Sequence, residues 1–161
     1  MVKKLYLVRH AEAANTTASD FQRPLTGEGE RVARRLGKWL DEQAFSIDQI
    51  FSSTALRAKT TAELINESLG KGSVQQDAEL YEASVRTFLR AVNAISDEIN
   101  GAMMVAHNPS ITYLAEYLTG SPIANMEPGS MAIITFSDFE WAEAGEKTGS
   151  LDRYVSPREI S

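Results

Sequence analysis

Two short stretches of this chain, Leu5–Val8 and Ala102–Ala106, are apolar at every position. A strand with one solvated face alternates polar and apolar residues. A stretch apolar throughout fits a strand covered on both faces, as in a parallel sheet between layers of helices. The helices are equally legible. Thr26 reads as a helix cap, with Glu28 and Glu30 at the positive end of the dipole, and Val32, Leu36 and Leu40 follow at fourfold spacing. Ala58, Ala62, Ile65 and Leu69 mark a second amphipathic helix that stops at Gly70. Val85, Phe88, Val92, Ile95 and Ile99 predict a third, running up to Gly101, and Ile111, Leu114, Ala115 and Leu118 a fourth that closes at Gly120. Ile47–Phe51 and Met131–Phe136 complete the predicted strands, and beyond Phe136 no element is assigned.

This alternation predicts an α/β fold of three layers, α/β/α, around a mostly parallel central sheet. The 161 residues suit a single domain over 1–161, because no repeat, low-complexity tract or linker divides them. Asp and Glu number 22 against 16 Lys and Arg, a net charge of −6, which is the wrong balance for a nucleic-acid surface. There is no cysteine, so disulfides, thiolate nucleophiles and cysteine-ligated zinc are excluded. The N-terminal apolar run ends at Arg9, too short for a signal-peptide core with its cleavage site or for a bilayer span. The expected location is the cytoplasm, with no membrane partner.

The chain has two histidines, and each directly follows a predicted buried strand: His10 after Leu5–Arg9 and His107 after Ala102–Ala106. In open parallel sheets ligands bind beyond the carboxyl ends of the strands, which puts both imidazoles on one edge. Arg57, just past Ile47–Phe51, falls on that edge too, and Arg9 precedes His10. Together they predict a small positive pocket in a negative protein. Arginine forks bind phosphoryl oxygens in pairs and stabilise the charge that develops during transfer. A neutral imidazole can attack phosphorus when its other ring nitrogen donates to a fixed acceptor.

Taken singly, each residue has a plainer role: a rim histidine, a solvated helix arginine, a strand-terminal cation. Two histidines with Glu12 or Glu82 could also hold a metal, but the histidines lack short ligand spacing and Arg9 would repel a cation. Composition and spacing alone give an anion site and leave its chemistry open.

The residues around these positions resemble a known family. Val8-Arg9-His10-Ala11 is similar to the Arg-His-Gly signature of the histidine phosphatase superfamily, the group containing the cofactor-dependent phosphoglycerate mutases. Residues 52–62, with Arg57 ahead of Thr61-Ala62, resemble its second motif, and Val105-Ala106-His107-Asn108-Pro109 its third. The motifs stand in order along nearly the whole chain. The Arg-His-Ala opening, the segment Asp20-Phe21-Gln22-Arg23-Pro24-Leu25-Thr26, the His-Asn-Pro motif and the short length are closer to the SixA-type phosphohistidine phosphatases.

The resemblance implies a phosphoglycerate mutase-like fold and a phosphatase that needs no metal or cofactor. By the same resemblance His10 is the nucleophile, Arg9 and Arg57 clamp the phosphoryl oxygens, and His107 donates from the other side. Arg23 would add a contact at the rim, although its sequence reads equally well as a local ion pair with Asp20. Glu82 falls where the mutases carry a general acid, and also reads as an acid favoured by a helix N-terminus near Ser84. Ala11 stands in place of the common glycine, and Asn15 lies one position short of the mutase asparagine, so no role is carried to Asn15. The expected substrate is a phosphorylated histidine-containing protein. Two alternatives stay open: a small-molecule phosphomonoesterase or mutase on the same scaffold, and a non-catalytic phosphate- or phosphoprotein-binding module.

Overall fold

Strands β1 (Val2–Arg9) and β4 (Gly101–Ala106) lie side by side and parallel, pairing Leu5 with Ala102 and Arg9 with Ala106. Beyond β4, the strands β2 (Gln49–Ser52) and β3 (Gln75–Gln76) extend the parallel set. On the other side of β1, strands β5 (Met131–Ser137) and β6 (Ser150–Val155) add antiparallel, giving the order β3-β2-β4-β1-β5-β6. The sheet is therefore mostly parallel, as its apolar strands predict. The structure is a computed structural model that describes residues 2–16 and 19–160. Thr17 and Ala18, in the irregular segment between Ala11 and Pro24, lie outside the described residues, as do Met1 and Ser161.

Successive side chains of a strand point to opposite faces, and here both faces are covered. Leu5, Leu7, Ala102 and Met104 pack with Phe88 and Val92 of α3 (Val85–Asn93) and with Ile111, Leu114 and Leu118 of α4 (Ser110–Thr119). Tyr6, Val8, Met103 and Val105 pack on the opposite side, with Leu36 and Leu40 of α1 (Gly27–Glu42) and Ala58, Ala62 and Ile65 of α2 (Leu56–Leu69). The result is the three-layer α/β/α arrangement. Thr26 caps α1 by accepting from the Gly29 N–H at 2.9 Å, and Gly70 ends α2 at a φ of 62°. No described helix is long and apolar enough to cross a membrane.

Two expectations shift. The third helix ends at Asn93 rather than near Ile99, although Ile95 stays buried. Past Ala94 the chain turns: the Ser96 hydroxyl accepts from the Glu98 N–H, and the Asp97 carbonyl accepts from buried Lys3. Short polar side chains that bond their own backbone compete with helix, while the apolar residues keep their inward period without it. The second strand begins at Gln49, two residues later than predicted.

Candidate active site

β1, β2 and β4 end on the same edge of the sheet, and the residues that leave them converge. The His10 N–H donates to the Ala106 carbonyl at 3.0 Å, so the chain past β1 stays in register beside β4. His107 follows Ala106, and the two imidazole centroids lie 5.2 Å apart with planes tilted by 54°. Arg57 enters from the first turn of α2. These residues, with Arg9, Arg23, Glu12, Asn15 and Asn108, line a cavity of about 400 Å³.

His10 is buried, and its Nδ1 lies 2.8 Å from the Ala11 carbonyl oxygen. A carbonyl only accepts, so Nδ1 carries the proton and Nε2 is left with its lone pair. The anchor is itself braced: the Ala11 N–H donates to Thr61 Oγ1 at 3.0 Å, and the Thr61 hydroxyl donates to the Arg57 carbonyl at 2.7 Å. Burial pushes the His10 pKa down to about 4, opposed by the Ala11 hydrogen bond and reinforced by Arg57, Arg9 and Arg23. His10 is thus a neutral imidazole near pH 7.

His107 meets Ser53, with Nε2 and the hydroxyl oxygen 2.8 Å apart, and Ser53 Oγ also accepts from the Ala55 N–H at 3.2 Å. Burial, then the neighbouring His10 and Arg57, bring its pKa down to about 3. Arg9 donates from Nη1 to the Met126 carbonyl at 2.7 Å. Among the described residues, Arg9 Nε and His107 Nδ1 are buried without a hydrogen-bond partner. Buried polar atoms are rarely left unpaired, and an oxyanion with several acceptor oxygens suits a site with such spare capacity. Among the described residues, no group of three His, Cys, Asp or Glu side chains is placed to hold a metal ion.

The structure brings Arg9, His10, Arg23, Arg57 and His107 together around the cavity, and Glu82 is not among the residues that line it. Glu82 sits exposed at a φ of 54°, one residue past Tyr81, and does not line the cavity. The lining carboxylate is Glu12, which accepts from the Thr26 hydroxyl at 2.7 Å. Its place two residues after His10 was the available signal. The backbone of Glu12 presses against α1 so closely that a Cβ at Gly29 would collide with the Glu12 carbonyl. The bonds that tie Asp20 to Arg57 and Tyr81 also escape a sequence reading, because they span 37 and 61 residues.

The family model described as histidine phosphatase superfamily (branch 1) matches residues 5–88, more than half of the chain. The chain belongs to the histidine phosphatase superfamily. Phosphohistidine phosphatase SixA of Escherichia coli (strain K12) is 28% identical over 149 residues, which are 86% of this chain and 91% of that protein. A solved structure of the protein histidine phosphatase SixA complexed with tungstate matches with a TM-score of 0.85 at 26% identity, over 97% of this chain and 98% of that one. The phosphoglycerate mutase of Plasmodium falciparum shares the fold, with a TM-score of 0.68 at 20% identity over 96% of this chain and 92% of that one. This histidine phosphatase is of the SixA type, and its phosphoglycerate mutase-like fold and phosphatase class agree with the sequence reading.

The two depressed imidazoles of this phosphatase set the sign of a pH dependence. Each binds a proton less readily in the folded chain than at its ordinary value of 6.5. The stability they contribute is therefore complete above about pH 6.5 and is lost as pH falls through about 4 toward 3. Proton NMR titration is expected to show both rings neutral at pH 6, with His10 titrating near 4. A His10 midpoint at its ordinary value of 6.5 would contradict the neutral imidazole.

Proposed function

We propose that the protein is a metal-independent phosphohistidine phosphatase of the cytoplasm that works through a covalent phosphoryl intermediate on His10. The observation that carries this reading is the fixed tautomer: Nδ1 held by the Ala11 carbonyl leaves Nε2 unprotonated in a cavity lined by Arg9, Arg23 and Arg57. The His10 Nε2 lone pair attacks phosphorus, and the bond from phosphorus to the leaving group breaks. The departing electron pair goes to the leaving nitrogen, which takes up a proton from solvent. Water then attacks the phosphoryl-His10, the P–N bond returns its electrons to Nε2, and both protons of the water leave with the phosphate as dihydrogen phosphate.

The arginines neutralise the equatorial oxygens as charge develops, and His107 Nδ1, unpaired in the protein, supplies a further contact when it carries a proton. SixA of Escherichia coli is named for action on phosphohistidine. Tungstate, present in the related SixA structure, is a tetrahedral oxyanion like phosphate. A protein-borne phosphohistidine suits the chemistry, because its P–N bond is weak and an imidazole leaving group is readily protonated near neutral pH.

The proposal is tested by measuring phosphate release, without added metal, from a phosphorylated histidine-containing protein beside a panel of small phosphate esters. Preferential release from the phosphoprotein supports it. Preference for one ester would move the protein to small-molecule metabolism on the same scaffold, and no release from any substrate would leave a binding module. Glu82 is kept as the proton donor for poorer leaving groups, reaching them through water from beside Tyr81. The expected result for Glu82→Gln is phosphohistidine hydrolysis within about 3-fold of wild type and a loss of about 100-fold on an alkyl phosphate. Equal losses on both substrates would contradict that division.

A further inference from the structure

Asp20 belongs to the segment that also carries Arg23, and it does not line the cavity, yet its oxygens engage the residues that do. Its carbonyl accepts from Arg57 Nη1 at 2.7 Å. Carboxylate Oδ2 accepts from Arg57 Nη2 at 3.1 Å and from the Tyr81 hydroxyl at 2.7 Å, while Oδ1 accepts from Arg23 Nη1 at 3.4 Å. Residues 37 and 61 positions away are thus tied to one aspartate. Tyr81 in turn packs edge-on against Phe21, with centroids 5.1 Å apart, and against His107 at 5.7 Å. The fastening runs from the segment before α1 to the start of α2 and on to the second histidine.

A guanidinium offers five N–H donors on a rigid planar fork. Residue 20 takes one from each terminal nitrogen of Arg57. That leaves Nε–H and one proton on each terminal nitrogen for an incoming oxyanion. We propose that Asp20 is the positioning residue of the phosphoryl clamp: it holds Arg57 by one donor from each terminal nitrogen and keeps the remaining donors oriented for the phosphoryl oxygens. The inference rests on the reading that Arg57 binds the phosphoryl group. Tyr81, and then Arg57, hold the Asp20 carboxyl down to about 2, so it stays ionised at any working pH. Its side chain is 53% exposed against 8% for Arg57, so the carboxylate faces water while the guanidinium faces the site. A pre-oriented fork binds an anion without first losing side-chain freedom, whereas a released one must be ordered by the ligand.

Inorganic phosphate is the probe. Its dissociation constant is measured by calorimetry at pH 7 for wild type, Asp20→Ala, Asp20→Asn and Tyr81→Phe, with thermal unfolding followed in parallel. Alanine removes the carboxylate that holds the fork and is expected to weaken phosphate binding by about 10-fold. Asparagine keeps an oxygen able to accept from Arg57 and Tyr81, and is expected to stay within about 3-fold of wild type. If the alanine variant does not fold, the asparagine variant and Tyr81→Phe carry the test. Asp20→Ala combined with Tyr81→Phe should bind no more weakly than Asp20→Ala, because both act through one fastening.

Phosphate binding in Asp20→Ala as tight as wild type, or tighter, would overturn the proposal by showing that Asp20 competes with phosphate for Arg57. Binding in Asp20→Asn weaker than wild type by about 10-fold or more would overturn it too, since charge and not orientation would then be decisive. No phosphate binding by wild type would instead remove the clamp reading of Arg57, and this proposal with it.

Discussion

Replacing His10 by alanine is expected to lower phosphate release by about 10,000-fold or more, because the methyl group has no lone pair with which to form the covalent intermediate. The variant should nevertheless fold. His10 is a buried polar side chain, and its loss removes one hydrogen bond to a neighbouring carbonyl while leaving the apolar clusters on the two sheet faces intact. Circular dichroism and unfolding midpoints separate the two effects. A folded His10→Ala that retained a tenth of wild-type turnover would mean that water attacks the substrate directly, with the arginines alone carrying catalysis.

The second large effect falls on Arg57. Its side chain is 8% exposed, lines the cavity and is tied to Asp20, leaving donors that grip the phosphoryl oxygens in the proposed mechanism. Arg57→Ala removes them and leaves the Asp20 carboxylate and the Tyr81 hydroxyl beside an uncompensated space. Loss of one pre-oriented oxyanion contact lowers kcat by about 100- to 1,000-fold, and a doubly engaged arginine belongs at the upper end of that range. Lysine is not expected to restore activity, since an ammonium on a flexible stem cannot grip Asp20 and the phosphoryl group together. Steady-state kcat and KM for the three proteins check this. An Arg57→Lys variant at wild-type kcat would show that charge suffices and orientation does not matter.

The parts of this molecule that could be read in its sequence are those whose physics is local. Leu5–Val8 and Ala102–Ala106 announce a doubly covered parallel pair, and they are the neighbours β1 and β4. The two histidines follow from that pair, since strand direction alone puts His10 and His107 on one edge. Edge elements were not legible. β3 is two exposed glutamines, and β6 runs through Asp152 and Arg153, which face solvent at the rim of the sheet. The over-long third helix has the opposite cause: Ile95 keeps the helical period because it is buried, although Ser96 and Asp97 have already turned the chain.

In the site, Asp20 read as a local partner of Arg23, and that ion pair is present at 3.4 Å. Its shorter bonds to Arg57 and Tyr81 span 37 and 61 residues, and no local pattern encodes a pairing of that length. Glu82 is the converse case. A local pattern places it where a catalytic acid stands, and in the structure it is exposed at a φ of 54°, outside the cavity lining, so its role as donor rests on the proposal and its test.

The central claim is that a phosphoryl group passes through His10. The most direct test is to quench the wild-type enzyme in alkaline denaturant during turnover of a labelled phosphohistidine protein, then map the retained label by peptide mass spectrometry. The account predicts an acid-labile, alkali-stable phosphoryl group on His10, absent when His10 is alanine. Label recovered on another residue of this enzyme, or rapid turnover with no phosphoryl-enzyme at any quench time, would contradict it.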